Sequence, residues 1–458
     1  MSNPLSEYFR CPEDSVRIAR EGTPSETSGY FRFGGEAVCY GKYCGQRPAA
    51  SPDQMLIDGL DDTVTRNRIT YLPFDLDEVL HNLRCEQYAS DWRNGAAQSA
   101  LASLYYVLRP LIPFDLRSRL KRIHLRDWKE LSFPRWPVDC SVDALLERLL
   151  LLSIRASGAG RIPFIWFWPE GAPAAAIMTH DVETKFGVDY SATLMDIDDA
   201  YGVKASFQIV PEKRYSVSPS FLGSLRGRGF EVVVHDLNHD GHLYRNREQF
   251  LDRAAKINEY GRKYQAEGFR AAVLYRRQLW YDALDFAYDM SVPNVAHLDP
   301  QHGGCCTVMP YFIGKLVELP VTTTQDYMLF HILNERSISL WKHQIDLIMQ
   351  KHGLISFIIH PDYVAQPRER ATFEDLLAHL AMLRQEKGVW IATPGEVNRW
   401  WRQRAQMKLI EDRDGLRIEG EGSERARVAY ASERNGQLVL ALEEAAEPVH
   451  SAVLSTRH

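Results

Sequence analysis

From about Ala174 to Thr393 short apolar runs alternate with amphipathic helical ones, and this alternation limits the chain to few folds. The strand candidates are AAAIMTH, VKASFQIV, FEVVVH, FRAAVL, KLVELPVT, LISFIIH and VWIAT. Between most of them lie helix candidates, among them SATLMDIDDAYG, SPSFLGSLRGRG, REQFLDRAAKINEYGRKYQAEG, LWYDALDFAYDM, ISLWKHQIDLIMQKHG and TFEDLLAHLAMLRQEKG. Several of these helices stop at glycine (Gly202, Gly229, Gly268, Gly353, Gly388), the residue that tolerates the left-handed turn ending a helix. Strand–helix alternation of this length predicts a parallel α/β architecture. Roughly seven units favour a barrel of the TIM type, complete or not, over an open doubly wound sheet.

The flanks read differently. Residues 1–165 begin with short Gly-rich aromatic segments (GYFRFGGEAVCYGKYCG), which predict hairpins. They turn helical in SALASLYYVLRPLIP and VDALLERLLLLSI, interrupted by Pro110 and Pro113. The stretch RDWKELSFPRWPVD predicts an irregular connector. Residues 166–408 hold the barrel. Residues 409–458 alternate apolar and polar residues around Arg413-Asp414-Gly415 and Asn435-Gly436, which predicts a small antiparallel β module.

Composition excludes several classes. With 45% apolar and 25% charged residues, the chain is an ordinary globular one. Its net charge of −6 gives no reason to expect nucleic acid or an anionic membrane as partner. No apolar run approaches the roughly 20 residues a transmembrane helix needs, and no signal peptide is evident. Seven cysteines at irregular spacing fit a reducing cytoplasm, and an ordinary disulfide between adjacent Cys305 and Cys306 is strained.

In a β/α barrel, chemistry gathers at the C-terminal ends of the strands. There the sequence puts Asp181 and Glu183, then His235 with Asp236, His239, Asp240 and His242, then Arg270, then His360. Singly these mean little. With 15 histidines in 458 residues, chance supplies about half a pair at the His235/His239 spacing. Asp181 could cap a helix, Glu183 could serve its first turn, Arg270 could be a surface charge and His360 a structural histidine. The weight lies in their coincidence at one end of the barrel. Two imidazoles and one carboxylate hold a divalent metal with a position open for water. A second carboxylate can take that water's proton, and a distant histidine can protonate the leaving group. Asp181 and Glu183, two apart on an extended segment, can face the same way. The set describes metal-assisted hydrolysis of an amide or ester.

The order THDVE, HDLNH, GFRAAV, YDMS and SFIIH resembles the NodB-type polysaccharide deacetylases, a carbohydrate esterase family, over about residues 174–400. The resemblance implies a distorted (β/α)7-type barrel, here carrying an N-terminal mixed α/β extension and a small C-terminal β module. It implies Asp181 as catalytic base and Glu183 as metal ligand, with Asp181 as ligand the open alternative. His235 and His239 match the family's metal histidines, Arg270 the arginine that orients the base, Asp289 the aspartate that tunes the acid, and His360 the acid itself. Asp236 stands where the family has Ser/Thr, and Ala272 where it has proline. The oxyanion is expected against the metal and a backbone N–H near Val273. The implied cofactor is a divalent cation, zinc first, with cobalt, manganese or nickel admissible.

The expected activity is therefore deacetylation, N- before O-linked, of a carbohydrate or glycoconjugate used in surface polysaccharide synthesis, in the cytoplasm. Hydrolysis of a non-peptide C–N bond in a small amide or ureide is the second reading, and a non-catalytic glycan-binding or scaffolding module the third. Two further clusters are read as structural. His297, His302, Cys305 and Cys306 fit no common zinc spacing. The Arg-rich stretches Leu116–Arg126 and Asn398–Lys408 read as solvated helix faces, and Trp166/Trp168 and Trp400/Trp401 as packing residues.

Overall fold

A computed structural model describes residues 3–89, 125–413 and 415–443. The helix expected over residues 99–113 and most of the arginine-rich stretch 116–126 lie outside the described residues.

The strands of the main sheet are short runs rich in β-branched and apolar residues, most of them buried on both faces, which is the pattern of a covered parallel sheet. They are β1 (Ala175–Val182), β2 (Ser206–Ile209), β3 (Glu231–His235), β4 (Gly268–Arg270), β5 (Tyr288–Asp289), β6 (Tyr311–Ile313), β7 (Leu316–Glu318), β8 (Leu354–Ile359) and β9 (Trp390–Ala392). The sheet order is β6-β7-β5-β4-β3-β2-β1-β8. Every pairing is parallel except β6 with β7. β9 pairs with the first three residues of β1. The chain therefore folds as the expected distorted barrel, with its strands curled but not fully closed by backbone pairing. Between β7 and β8 the seam is sewn by side chains. Thr322 Oγ1 donates to Leu354 O (2.7 Å) and accepts from Ser356 N (2.9 Å), and Thr323 Oγ1 donates to Ser356 O (2.7 Å).

Helices cover the outer face: α1 (Lys185–Ala200), α2 (Pro219–Gly227), α3 (Arg247–Tyr264), α4 (Ser339–Gln350), α5 (Pro361–Val364), α6 (Pro367–Lys387) and α7 (Pro394–Gln406). Most start where a side chain satisfies an orphan N–H. Thr184 caps α1, Ser218 caps α2, Asn246 caps α3, and Thr393 with Glu396 forms a capping box on α7. One expectation fails. LWYDALDFAYDM is not a helix but a 3-10 turn over Gln278–Ala283 followed by β5. Tyr288 is needed in the sheet, where it lies beside Gly268 and donates to Glu231 (2.5 Å).

The flanking segments share one core with the start of the barrel strands. Leu5, Phe9, Phe31, Leu149, Phe164 and Trp400 pack in the same cluster as Ala175, Leu354 and Val317. The tail strand Val428–Arg434 pairs on one side with Gln437–Leu442 and on the other with Arg161–Ile165. Trp166, Trp168, Trp400 and Trp401 are buried, as the packing reading expects. The solvated-face reading of Asn398–Lys408 fails at Arg404. Its buried guanidinium donates to the carbonyls of Trp166, Tyr8, Phe9 and Ile165.

Candidate metal centre and cleft

The strand ends deliver the reactive groups to one place. β1 carries Asp181 and runs on to Glu183, immediately before the Thr184 cap of α1. Asp181 is therefore a strand residue and not the helix cap. β3 ends in His235, β4 in Arg270, and β8 runs into His360. Arg270 is fully buried, and Asp181, His235, His239 and His360 are each less than 10% exposed. A surface role for Arg270 is thereby excluded.

Glu183 Oε1 lies 2.8 Å from His239 Nε2 and 3.8 Å from His235 Nε2. Asp181 Oδ2 lies 3.7 Å from the same His235 nitrogen. His235 is oriented from behind, because its Nδ1–H donates to Arg270 O (3.1 Å). That bond fixes the tautomer and leaves the Nε2 lone pair facing Glu183. His235 Nε2 and both ring nitrogens of His239 make no hydrogen bond. Two buried imidazole nitrogens that make no hydrogen bond, converging on one carboxylate oxygen, are a donor set suited to a divalent cation. Glu183, His235 and His239 thus fit the metal; Asp181, Glu183 and His360 form an overlapping second group.

Arg270 Nη1 donates to Asp181 Oδ1 (2.6 Å) and to Thr179 Oγ1 (2.7 Å), while its Nε donates to Met290 O (3.0 Å). Burial alone would raise the Asp181 carboxyl; Arg270, then His235, outweigh it and hold the group below its ordinary range. The same contest ends further down at Glu183, where His239 is the largest opposing charge. His235 is moved up: Asp181 and Glu183 overcome the desolvation that disfavours its charge.

His360, expected as the acid, is held by Asp326. His360 Nδ1–H donates to Asp326 Oδ1 (2.7 Å), and the His360 backbone N–H donates to Asp326 Oδ2 (2.6 Å). Asp326 overrides burial and raises His360 well above a free imidazole. Asp289, expected to tune the acid, is placed elsewhere. It accepts from Ser291 N (2.9 Å) and Ser291 Oγ (2.8 Å), and it is raised by burial beside Glu318. Asp289 closes β5 and pairs across the sheet with Phe269 and with Glu318, the last residue of β7, so its carboxylate lies beside Glu318 and is taken up by Ser291. Asp326 lies outside the sequence reading: it stands eight positions beyond the end of β7, where a helical segment begins, and not at a strand end.

Asp236, in the place of a Ser/Thr, turns its Oδ1 back onto Leu237 N (2.6 Å). Val273 has φ 60° and ψ 15°, a left-handed conformation that costs a β-branched residue about 1–3 kcal/mol. It lines the same cleft as Glu183, His239 and His360, in a space of about 580 Å3. Arg214 on the rim donates from Nε to Glu183 O (3.0 Å). The second cysteine–histidine cluster forms no metal group among the described residues. His297 stacks on Trp136 at 6.1 Å, and Cys305 and Cys306 are buried free thiols.

No family model matches the chain, and no curated protein matches it. Solved structures do. The chain is similar to a provisionally named polysaccharide deacetylase from Mycobacterium smegmatis, with 18% identity and a TM-score of 0.41 over 51% of this chain and 92% of that one. It is similar to the allantoinase Puue, with 13% identity and a TM-score of 0.39 over 51% and 92%. It is also similar to the peptidoglycan deacetylase PdaC from Bacillus subtilis, with 12% identity and a TM-score of 0.33 over 51% and 93%.

Proposed function

We propose that this chain is a metal-dependent hydrolase that removes an acetyl group, N-linked in preference to O-linked, from a carbohydrate or glycoconjugate. The observation that carries the reading is the convergence of His235 Nε2 and His239 Nε2, neither in a hydrogen bond, on Glu183, flanked by a buried Asp181–Arg270 pair and a buried His360–Asp326 pair. The motif order along the sequence supports the same class.

Glu183, His235 and His239 hold the cation, zinc first by donor type, with cobalt, manganese or nickel admissible. A bound cation supplies Lewis acidity, acidifying water and polarising the acetyl carbonyl. The residues do the rest. Asp181, kept ionised and aimed by Arg270, takes the proton of the attacking water. His360, kept protonated by Asp326, delivers its Nε2 proton to the departing amine or alcohol oxygen. Val273, in its left-handed conformation, lines the cleft, and a backbone N–H beside it is the donor proposed for the oxyanion. All seven cysteines are free, which supports a reducing compartment and hence a cytoplasmic glycoconjugate precursor of surface polysaccharide. No helix among the described residues is long and apolar enough to cross a membrane.

The test is acetate release by the zinc-loaded protein from acetylated sugars, beside a panel of small amides and ureides. Asp181→Asn is expected to keep its metal and lose turnover by about 10²–10⁴-fold. Undiminished turnover in that variant removes Asp181 as base, and cleavage of the ureides alone overturns the carbohydrate reading.

A further inference from the structure

The loop Ala272–Leu274, which carries the donor proposed for the oxyanion, is built against its own backbone preference. Val273 and Leu274 are consecutive left-handed residues, φ 60° and 52°, one β-branched and the other bulky. Such a conformation persists only where the surroundings hold it. Before the loop, Ala271 N donates to Ser291 Oγ (2.8 Å); after it, Tyr275 N donates to Ala272 O (3.1 Å). At the Leu274 carbonyl the hold is a side chain, because Arg276 Nη1 donates to Leu274 O (2.9 Å). The Arg276 backbone is clamped in turn. Its N–H donates to Gln301 Oε1 (3.1 Å), and its carbonyl accepts from Gln301 Nε2 (3.4 Å).

The guanidinium of Arg276 belongs to a pair that crosses from the barrel to the N-terminal region. It is fully buried, and it donates from Nε to Glu86 Oε2 (2.7 Å) and from Nη2 to Glu86 Oε1. Glu86 is buried too, and its Oε1 also accepts from Gly304 N (2.6 Å). A rigid fork with Nε and Nη2 locked on one carboxylate has its Nη1 direction fixed, and here that direction is the Leu274 carbonyl. Glu86 itself follows the helix Leu76–Arg84 in a left-handed turn, φ 55°, where glycine is the easier residue. A carboxylate stands there in spite of the strain.

We infer that Glu86 is a positioning residue for the reaction. Through Arg276 it sets the Ala272–Leu274 loop, so that the N-terminal region supplies a part without which the barrel's site is incomplete. The contacts run from the Glu86 carboxylate to the Arg276 guanidinium, from there to the Leu274 carbonyl, and so to the Val273 backbone in the cleft. Without the carboxylate the guanidinium is free to turn. The loop then relaxes toward right-handed or extended backbone, which rotates the peptide beside Val273 away from the cleft. Glu86 is not among the residues that line the cleft, and it acts only through Arg276. The inference rests on the hydrolase reading and its oxyanion loop, and adds to it a role for the region that precedes the barrel.

The experiment measures three quantities on the zinc-loaded full chain: acetate release from an acetylated sugar, zinc content and backbone hydrogen exchange. Glu86→Gln keeps the shape of the side chain and removes its charge. Arg276→Lys keeps a charge against Glu86 and removes the fork, so it remains informative if Glu86→Gln does not fold. Each is expected to lower kcat by about tenfold or more, with KM and zinc content unchanged. Peptides over residues 271–276 are expected to exchange faster, while those of β1 and β3 stay protected. Glycine holds a left-handed conformation without strain, so on a Val273→Gly background Glu86→Gln is expected to cost only about twofold in kcat. An equal loss of kcat on both backgrounds, or unchanged exchange over 271–276 with only the unfolding midpoint lowered, would mean that the pair merely packs and overturns the inference. Faster exchange over 271–276 in the variants of a protein that releases no acetate would instead overturn the hydrolase reading and leave the bracing of the loop standing.

Discussion

The proton on His360 is controlled by a neighbour 34 positions earlier in the chain. Burial lowers an imidazole's affinity for protons; the Asp326 carboxylate, 2.7 Å away, reverses this. The raised value keeps the imidazolium form to higher pH, so with His360 as the proposed acid activity is expected to fall on the alkaline side only above the range of a free histidine. Asp326→Asn removes the reversing charge and leaves the burial. The alkaline limb of the kcat–pH profile is expected to move down by about 1–3 units, and kcat to fall at neutral pH. An unmoved limb would mean that Asp326 only packs. His297 shows the opposite case. Its burial against Trp136 lowers it to about 4, below the roughly 6.5 of the unfolded chain. The unfolded chain therefore binds a proton that the native one refuses, and stability is lost as pH falls from about 6.5 through 4. Denaturation at pH 7 and pH 4.5 should show His297→Gln losing less stability between the two than wild type. At this scale the sequence exposed Asp181, Glu183, His235, His239, Arg270 and His360, because each sits at a recognisable strand end. It concealed Asp326, which stands eight positions beyond the end of β7 and meets His360 only in the fold, and it gave no sign that Asp289 would be taken up by Ser291 beside Glu318.

At the scale of elements, the long runs were readable and the short ones were not. β1 and β8 are eight and six residues of buried strand. β5 is two residues, and its surroundings carry helical spacing, so tertiary pairing had to decide it. That pairing depends on Gly268. A Cβ there would come within 2.2 Å of the Tyr288 ring, which is fully buried and cannot retreat. Gly268→Ala is expected to destabilise the fold by about 1–3 kcal/mol or more, read as a lower denaturant midpoint at unchanged slope. The seam between β7 and β8 makes a second case. Thr322→Val keeps the shape but strips Leu354 O and Ser356 N of a buried partner. The expected cost is about 1–3 kcal/mol per orphaned group. A neutral effect in urea unfolding would show that the barrel does not rely on these bonds for closure.

Across the whole molecule, the N-terminal region is fastened to the barrel by polar contacts as well as by the shared apolar core. Arg276, fully buried, donates from Nε to Glu86 Oε2 (2.7 Å) and from Nη2 to Oε1 of the same carboxylate. Gly304 N donates to Glu86 (2.6 Å), and Tyr88 Oη donates to Gly304 O (2.6 Å). Asp143 on the helix Ser141–Ser157 accepts from Thr307 Oγ1 (2.7 Å) and Val308 N (3.0 Å). Glu86→Ala leaves a guanidinium buried without its counter-charge and is expected to cost about 3–5 kcal/mol, in a single unfolding transition for the barrel and its N-terminal region together. Two separated transitions would show that these regions fold independently. None of this fastening was legible in sequence, since each bond joins residues more than 150 positions apart.

At the strand ends the buried His235 Nε2 and His239 Nε2 converge on Glu183 without a hydrogen bond, and the function proposed here depends on that convergence. Metal content by elemental analysis, after reconstitution with zinc, tests that most directly on wild type, His235→Ala and Glu183→Ala. The expected result is about one equivalent in wild type and loss of metal in both variants, with far-UV circular dichroism unchanged. Wild type that takes up no metal, or folded variants that retain a full equivalent, would contradict the account.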